Sequence, residues 1–360
     1  MLGALAWIVL LAAIAAGLAF LHHRFWTWRL RVPGAEDALL FATTRDGWRI
    51  ALARRRPRGP ARSPPVLLCH GLSTNRFSLD SGMERYSLAA FLARAGFDCF
   101  AIDLRGHGAS RPDRPGAPRR FGFDAYVRED VPAALDAVRE VTGEERVLWV
   151  CHSLGALVGL AACEARPDRI AGIVALAGPV HFDGQGDLRR FLRYGFFVNG
   201  RANRFLARMV APFAGLAHPP AAEIAINGRN VDRPVFRRHL ANGIEDVPAG
   251  VFAQLRGWVN DDAFRSADGA VDYRERLSAC RQPALFVSAE RDGLAPPPVV
   301  RAAFERWGGE KQYWNAGVRD GFSADYGHTD LLLGRRAPEE VFPRLRDWLL
   351  AHASAKETPP

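Results

Sequence analysis

The sequence predicts an α/β protein: a mostly parallel sheet with helices on both faces, divided by a helical insertion and preceded by an apolar N-terminal helix. Three observations carry this. Short continuous apolar runs alternate with helical patterns, as strands buried on both faces require. The alternation stops at Gly178-Pro179 and resumes at Pro283. Twenty residues from Leu2 to Leu21 carry no polar or charged side chain.

As a helix rising about 1.5 Å per residue, Leu2–Leu21 reaches about 30 Å, the thickness of a bilayer's hydrocarbon core. Trp26 and Trp28 follow where an interfacial aromatic belt sits. Residues 1–23 are therefore expected to be a membrane anchor and 24–34 a linker. A cleaved signal peptide is the alternative, but its apolar region is ordinarily only about 7–15 residues long. Arg24, Arg29 and Arg31 follow the span and no positive side chain precedes it, which by the positive-inside rule puts the rest of the chain in the cytoplasm. Arg54, Arg55, Arg56 and Arg58 read either as a patch for anionic lipid head groups or as a solvated hairpin edge.

Leu39–Thr44 and Trp48–Arg54 flank Arg45-Asp46-Gly47, a tight hairpin turn. Val66–Cys69 is a buried strand, Met83–Ala95 a helix ending at Gly96, and Asp98–Ile102 a strand. Asp130 is placed to cap a helix with Pro132 in its first turn. Val147–Val150, Leu154–Glu164 and Ile170–Leu176 read as strand, helix, strand. Residues 35–180 are the first part of a core and 278–353 the second, with Pro283–Ser288, Pro298–Trp307 and Gln312–Asn315 as strand, helix, strand. A last helix opens at Pro338, with Val341, Phe342, Leu345, Trp348 and Leu349 as its apolar stripe. Residues 354–360 read as a disordered tail.

Residues 181–277 show helical apolar spacing and no clear strand, and are expected to form a cap. Phe191, Tyr194, Phe196, Phe197, Phe205, Leu206, Met209, Val210 and Phe213 crowd one part of it. They read both as a greasy lid and as the cap's own packing.

The sharpest local signal is Val150-Cys151-His152-Ser153-Leu154-Gly155. It follows a strand and opens a helix, the setting in which a serine on a strained turn is exposed as a nucleophile. A serine needs a base for its proton and a carboxylate to orient that base. Asp292 lies in a turn just beyond Phe286-Val287-Ser288, and His328 in a loop after the final strand. Ser153, Asp292 and His328 thus each follow a strand, and parallel strands would bring them to one sheet edge. An oxyanion hole is also required. His70-Gly71-Leu72 follows Val66–Cys69, so the amides of Leu72 and Leu154 are the candidate donors, with His70 and Gly71 in support.

On His70-Gly71, the stretch Asp103-Leu104-Arg105-Gly106-His107-Gly108-Ala109-Ser110, the segment Cys151–Gly155, Asp292 and His328, the sequence resembles the α/β-hydrolase superfamily. Asn75-Arg76-Phe77 and His328-Thr329-Asp330-Leu331-Leu332 are similar to acid-lipase-type members. The resemblance implies the α/β-hydrolase fold, a Ser153–Asp292–His328 triad and hydrolysis of an acyl bond. Cys151 stands where the family pattern has a glycine.

Asp183 is the rival for the acid, and Cys151 the rival nucleophile; only Ser153 has the right offset to Gly155. His152 is expected as a packed neighbour and Asp330 as a supporting or helix-capping group. The expected function is a membrane-anchored serine hydrolase cleaving small-molecule or lipid esters with an apolar acyl part. An acyltransferase, thioesterase or peptidase would use the same triad, and a non-catalytic lipid- or partner-binding protein could keep the fold. No metal or organic cofactor is implied. The net charge of +9 invites a nucleic-acid reading, but no finger, helix-turn-helix or aromatic-basic platform accompanies it. Of 48 basic residues only Lys311 and Lys356 are lysine, a bias spread along the whole chain.

Overall fold

The computed structural model describes residues 2–183, 188–189, 202–217 and 219–355. Its strands, in chain order, are β1 (Ala38–Thr43), β2 (Trp48–Arg55), β3 (Arg62–Ser63), β4 (Val66–Cys69), β5 (Cys99–Asp103), β6 (Arg111–Pro112), β7 (Val147–His152), β8 (Ile170–Leu176), β9 (Ala284–Ala289), β10 (Lys311–Ala316) and β11 (Ser354–Ala355). The main sheet runs β1-β2-β5-β4-β7-β8-β9-β10, with β6 beside β2. β1, β2 and β5 pair antiparallel; from β5 to β10 every pairing is parallel. The side chains of β4, β5, β7 and β9 are buried along their whole length. This is the pattern of a parallel sheet covered on both faces.

The longer helices are α1 (Leu2–Arg29), α2 (Leu88–Arg94), α3 (Val131–Thr142), α4 (Leu154–Ala165), α5 (Asn203–Val210), α6 (Arg233–Asn242), α7 (Ala249–Asp261), α8 (Pro297–Arg306) and α9 (Phe342–Ala351). α3 buries Val131, Ala134, Leu135 and Val138 and stops at Gly143, whose φ of 74° suits glycine. α4 is buried from Leu154 through Cys163, so the helix that follows Ser153 sits in the core. Among the described residues, 181–277 add no strand to the main sheet.

Several local expectations are corrected. The stretch 83–95 is a 3₁₀ turn followed by the short α2, because the Ser87 hydroxyl accepts the Ala90 amide at 3.0 Å and starts the helix there. Asp130 does not cap α3. It ends a π turn, and its carboxylate instead accepts the Arg105 backbone amide and Nε at 2.8 and 2.7 Å. The last helix is two, Ala337–Glu340 and α9. Ser354–Ala355 pairs with Arg62–Ser63 as a short antiparallel ribbon, so the start of the expected tail is ordered; residues 356–360 lie outside the described ones. Within the arginine cluster, Arg54 pairs with Asp98, Arg55 with buried Asp80, and Arg58 with Asp37. Phe191, Tyr194, Phe196 and Phe197 lie outside the described residues.

Candidate active site

Ser153 stands between β7 and α4 at φ 56°, ψ −123°. This is a strained position for a residue with a Cβ, and it costs on the order of 1–3 kcal/mol. Its surroundings enforce it. A Cβ on Gly71 would come within 2.9 Å of the Ser153 Cβ, and one on Gly155 would strike the carbonyls of His70 and Cys69. Both turns therefore pack backbone against backbone. Cys151 is accommodated because its side chain points away from this turn: Sγ is buried and reaches the Val174 carbonyl at 3.3 Å. Burial raises its thiol pKa well above the ordinary value, which leaves a thiolate nucleophile there disfavoured.

Asp292 lies just beyond β9. One carboxylate oxygen accepts the amides of Leu294 and Ala295, each at 2.8 Å. The other meets His328 Nδ1 at 2.7 Å, with both side chains almost wholly buried. The ring is thus held with Nε2 on its free side, and His328 and Ser153 line one cavity. Among the described residues no hydrogen bond joins them; such contacts often tighten only when substrate is bound. Asp183, the rival acid, is exposed at the surface, with its amide bonded to Asp262.

Leu72 and Leu154 border the same cavity, and neither amide donates to another described residue. His70 fixes the loop. Its Nε2 accepts the Leu104 amide at 3.1 Å, so Nδ1 carries the proton and donates to the Gly71 carbonyl at 2.9 Å. Burial lowers its pKa to about 4, which keeps this neutral tautomer in place.

The cavity holds about 320 Å³. Leu154, Leu157, Phe182, Leu255 and Leu332 make apolar walls, and Leu206, Ala207, His239 and Leu240 close it from α5 and α6. α5 therefore has two roles. Leu206 and Ala207 face the cavity, while Phe205 and Val210 are about half exposed beside the end of α1. There the His23 ring stacks on Phe205 at 4.8 Å and the His22 ring on Phe213 at 5.8 Å. His22 Nε2 lies 3.0 Å from the Met209 carbonyl oxygen.

A family model described as alpha/beta hydrolase fold matches residues 64–334, three quarters of the chain. The chain belongs to the α/β hydrolase fold family. Within it, this hydrolase is lipase- and esterase-like. It is 31% identical to human gastric triacylglycerol lipase over 147 residues, 37% of each protein. It is 32% identical to human lysosomal acid lipase/cholesteryl ester hydrolase over 152 residues, covering 38% of this chain and 37% of that protein. The matches thus span little more than a third of these curated relatives. Among solved structures, the hydrolase superposes on a membrane phospholipase A with a TM-score of 0.60 at 16% identity, covering 98% of this chain and 99% of that one. A thermophilic esterase from Thermogutta terrifontis gives 0.58 at 21% identity, with 88% and 100% covered. These two likenesses concern the fold.

His152 and Asp330, expected as a packed neighbour and a supporting group, hold this hydrolase's site through contacts across the fold. His152 Nε2 lies 2.9 Å from the His328 carbonyl oxygen, and the two rings stand 4.6 Å apart. Burial drives the His152 pKa well below the ordinary value, so the neutral ring donates and steadies the His328 loop. Asp330 accepts the amides of Gly327 and Asn227 at 2.9 and 3.0 Å and the Asn230 side chain at 2.7 Å. It thereby ties that loop to the insertion. His239 and Glu245 come from the insertion itself, and no periodic or spacing signal in the chain marks them.

Proposed function

We propose that this hydrolase is a membrane-anchored serine esterase acting on carboxylic esters with an apolar acyl part. Ser153 Oγ attacks the ester carbonyl carbon while His328 Nε2 takes its proton. Asp292 holds the ring in the tautomer this needs and stabilises the imidazolium. The amides of Leu72 and Leu154 receive the developing oxyanion. Collapse expels the alcohol, which leaves with the proton from His328, and forms an acyl-enzyme on Ser153. Water, deprotonated by His328, then attacks the acyl carbon and releases the carboxylic acid and free Ser153.

One observation carries the reading: a strained serine on a strand-to-helix turn shares an apolar cavity with a buried histidine–aspartate pair. The apolar walls favour a fatty acyl chain. The activities named for two relatives, gastric triacylglycerol lipase and lysosomal acid lipase/cholesteryl ester hydrolase, point the same way. Helices over residues 203–261 serve as the cap. α1 serves as the anchor: from Ala4 to Arg29 it is apolar enough to cross a membrane, its most apolar stretch is not buried in the protein, and its last turns rest on the cap. That contact would hold the mouth of the cavity near the lipid surface, with the folded body on the cytoplasmic side of the cell membrane.

The test is turnover of p-nitrophenyl esters of increasing chain length together with labelling by a fluorophosphonate. Ser153→Ala is expected to lose both turnover and the covalent adduct. Undiminished turnover in that variant, or labelling elsewhere, would overturn the assignment.

A further inference from the structure

The walls of the cavity that holds Ser153 are mostly apolar, with Ser73, Thr74, Ser78, Asn203, Thr329 and three histidines as the polar side chains among them. His239, on α6, borders the cavity and is 2% exposed. Its Nδ1 is shut from solvent without a partner. The ring makes no hydrogen bond to any described residue. Nδ1 lies toward Gly243, where a methyl group would approach it to 2.8 Å, and Nε2 is the nitrogen left to meet a ligand in the cavity. Burial lowers the pKa to about 4, so at neutral pH the ring offers one donor and one acceptor and no charge.

The ring is also firmly placed. The end of α6 is stitched to the loop carrying Leu72. The Asn75 amide donates to the Gly243 carbonyl at 3.1 Å, the Glu245 amide to the Ser73 carbonyl at 2.8 Å, and Thr74 pairs with Ile244. The Asn75 side chain donates to Glu245 Oε1 at 2.8 Å. His239 therefore keeps a fixed position relative to the candidate oxyanion amides. Ser73, Thr74 and Asn203 add polar side chains to the cavity wall, while Leu154, Leu157 and Leu255 form apolar wall that suits a hydrocarbon chain.

An ester with an apolar acyl part carries its hydrogen-bonding groups on the alcohol. A neutral imidazole in the wall of the cavity that holds Ser153, making no hydrogen bond to a described residue, has a ring nitrogen to offer such a group. We propose that His239 is a specificity-determining residue that hydrogen-bonds a free hydroxyl on the alcohol part of the ester. The preferred substrates are then acylated polyols, such as monoacylglycerols, over esters of plain alcohols. The inference rests on the Ser153 reading and names the substrate class for that site.

The experiment compares 1-octanoylglycerol with propyl octanoate, which share the acyl chain and a three-carbon alcohol and differ in the two hydroxyls. Full-length protein in detergent is assayed as wild type, His239→Phe and His239→Gln. The wild type is expected to favour octanoylglycerol. His239→Phe should lower kcat/KM for octanoylglycerol about tenfold, mainly through KM, as loss of one hydrogen bond implies, and leave propyl octanoate within about twofold. His239→Gln, which keeps a donor and an acceptor, should restore part of the preference. Equal losses on both esters, no loss on either, a Gln variant no better than Phe, or a wild type that does not turn over octanoylglycerol would each overturn the proposal. Turnover that survives Ser153→Ala would instead overturn the underlying reading.

Discussion

The side-chain amide of Asn242 donates to the backbone carbonyl of Leu30 at 2.9 Å. Its side-chain oxygen accepts the Val32 amide at 3.1 Å, and its own backbone carbonyl accepts the Asn75 side chain at 3.0 Å. One residue at the end of α6 thus joins the foot of α1 to the loop that supplies Leu72. Leu30, Ala211 and Ala241, with Trp26 and Leu240 packed against them, form a small apolar cluster at the same joint.

Asn242→Ala removes the side-chain bonds and leaves the Leu30 carbonyl and the Val32 amide without them. Each lost bond is worth about 0.5–1.5 kcal/mol, more where a group stays buried and unpaired. The variant is expected to unfold about 1–3 kcal/mol more easily and to turn over esters several-fold more slowly, with the larger effect on kcat. Thermal unfolding and steady-state kinetics on detergent-solubilised protein measure both. Stability and kcat equal to wild type would show that the joint is incidental.

His70 lets the loop be tested from its other side. Its two nitrogens are engaged by the Leu104 amide and the Gly71 carbonyl, and no role in proton transfer remains for it. His70→Phe keeps the ring's volume and deletes both bonds. The expected result is a kcat lower by about 10²-fold, the order seen when an oxyanion donor is lost, with KM nearly unchanged. His70→Gln, which retains a donor and an acceptor, should recover part of it. A change confined to KM would place His70 in substrate binding instead.

The sheet and its carboxyl edge were legible in the chain because both depend on local pattern. β8 runs over Ile170–Leu176 as the apolar run predicts, and Ser153, Asp292 and His328 each follow a strand of that sheet. Contacts made across the fold were not legible. Asn75 meets Glu245 170 residues away, and Asp330 meets Asn227 103 residues away. Nothing in a run of neighbouring residues encodes such a pairing. Asp130 misled for the same reason: its position beside Pro132 suits a cap, but buried Arg105, which also grips Asp46, draws its carboxylate elsewhere. Arg54, Arg55 and Arg58 are neighbours in sequence, yet their ion pairs go to three separate carboxylates.

Asp330 gives the hydrolase a signature in pH. Burial raises its pKa to about 6, against the three hydrogen bonds that favour the carboxylate. The value exceeds the roughly 3.9 of an unfolded aspartate, so the folded state binds the proton more tightly. Its contribution to stability is therefore complete below about pH 4 and is lost as pH rises through 6. Asp330→Asn keeps an oxygen for the Gly327 and Asn227 amides, and Asn230 can turn its own amide to offer an acceptor. The variant should consequently lose less stability than wild type between pH 5 and 7.5, by about 1–2 kcal/mol. Asp130, pushed to about 7 by burial, acts alike in both proteins and cancels from the comparison. Thermal unfolding of the pair across that range measures the difference. Parallel pH profiles would mean that Asp330 titrates no differently folded than unfolded, and that its three bonds offset its burial in full.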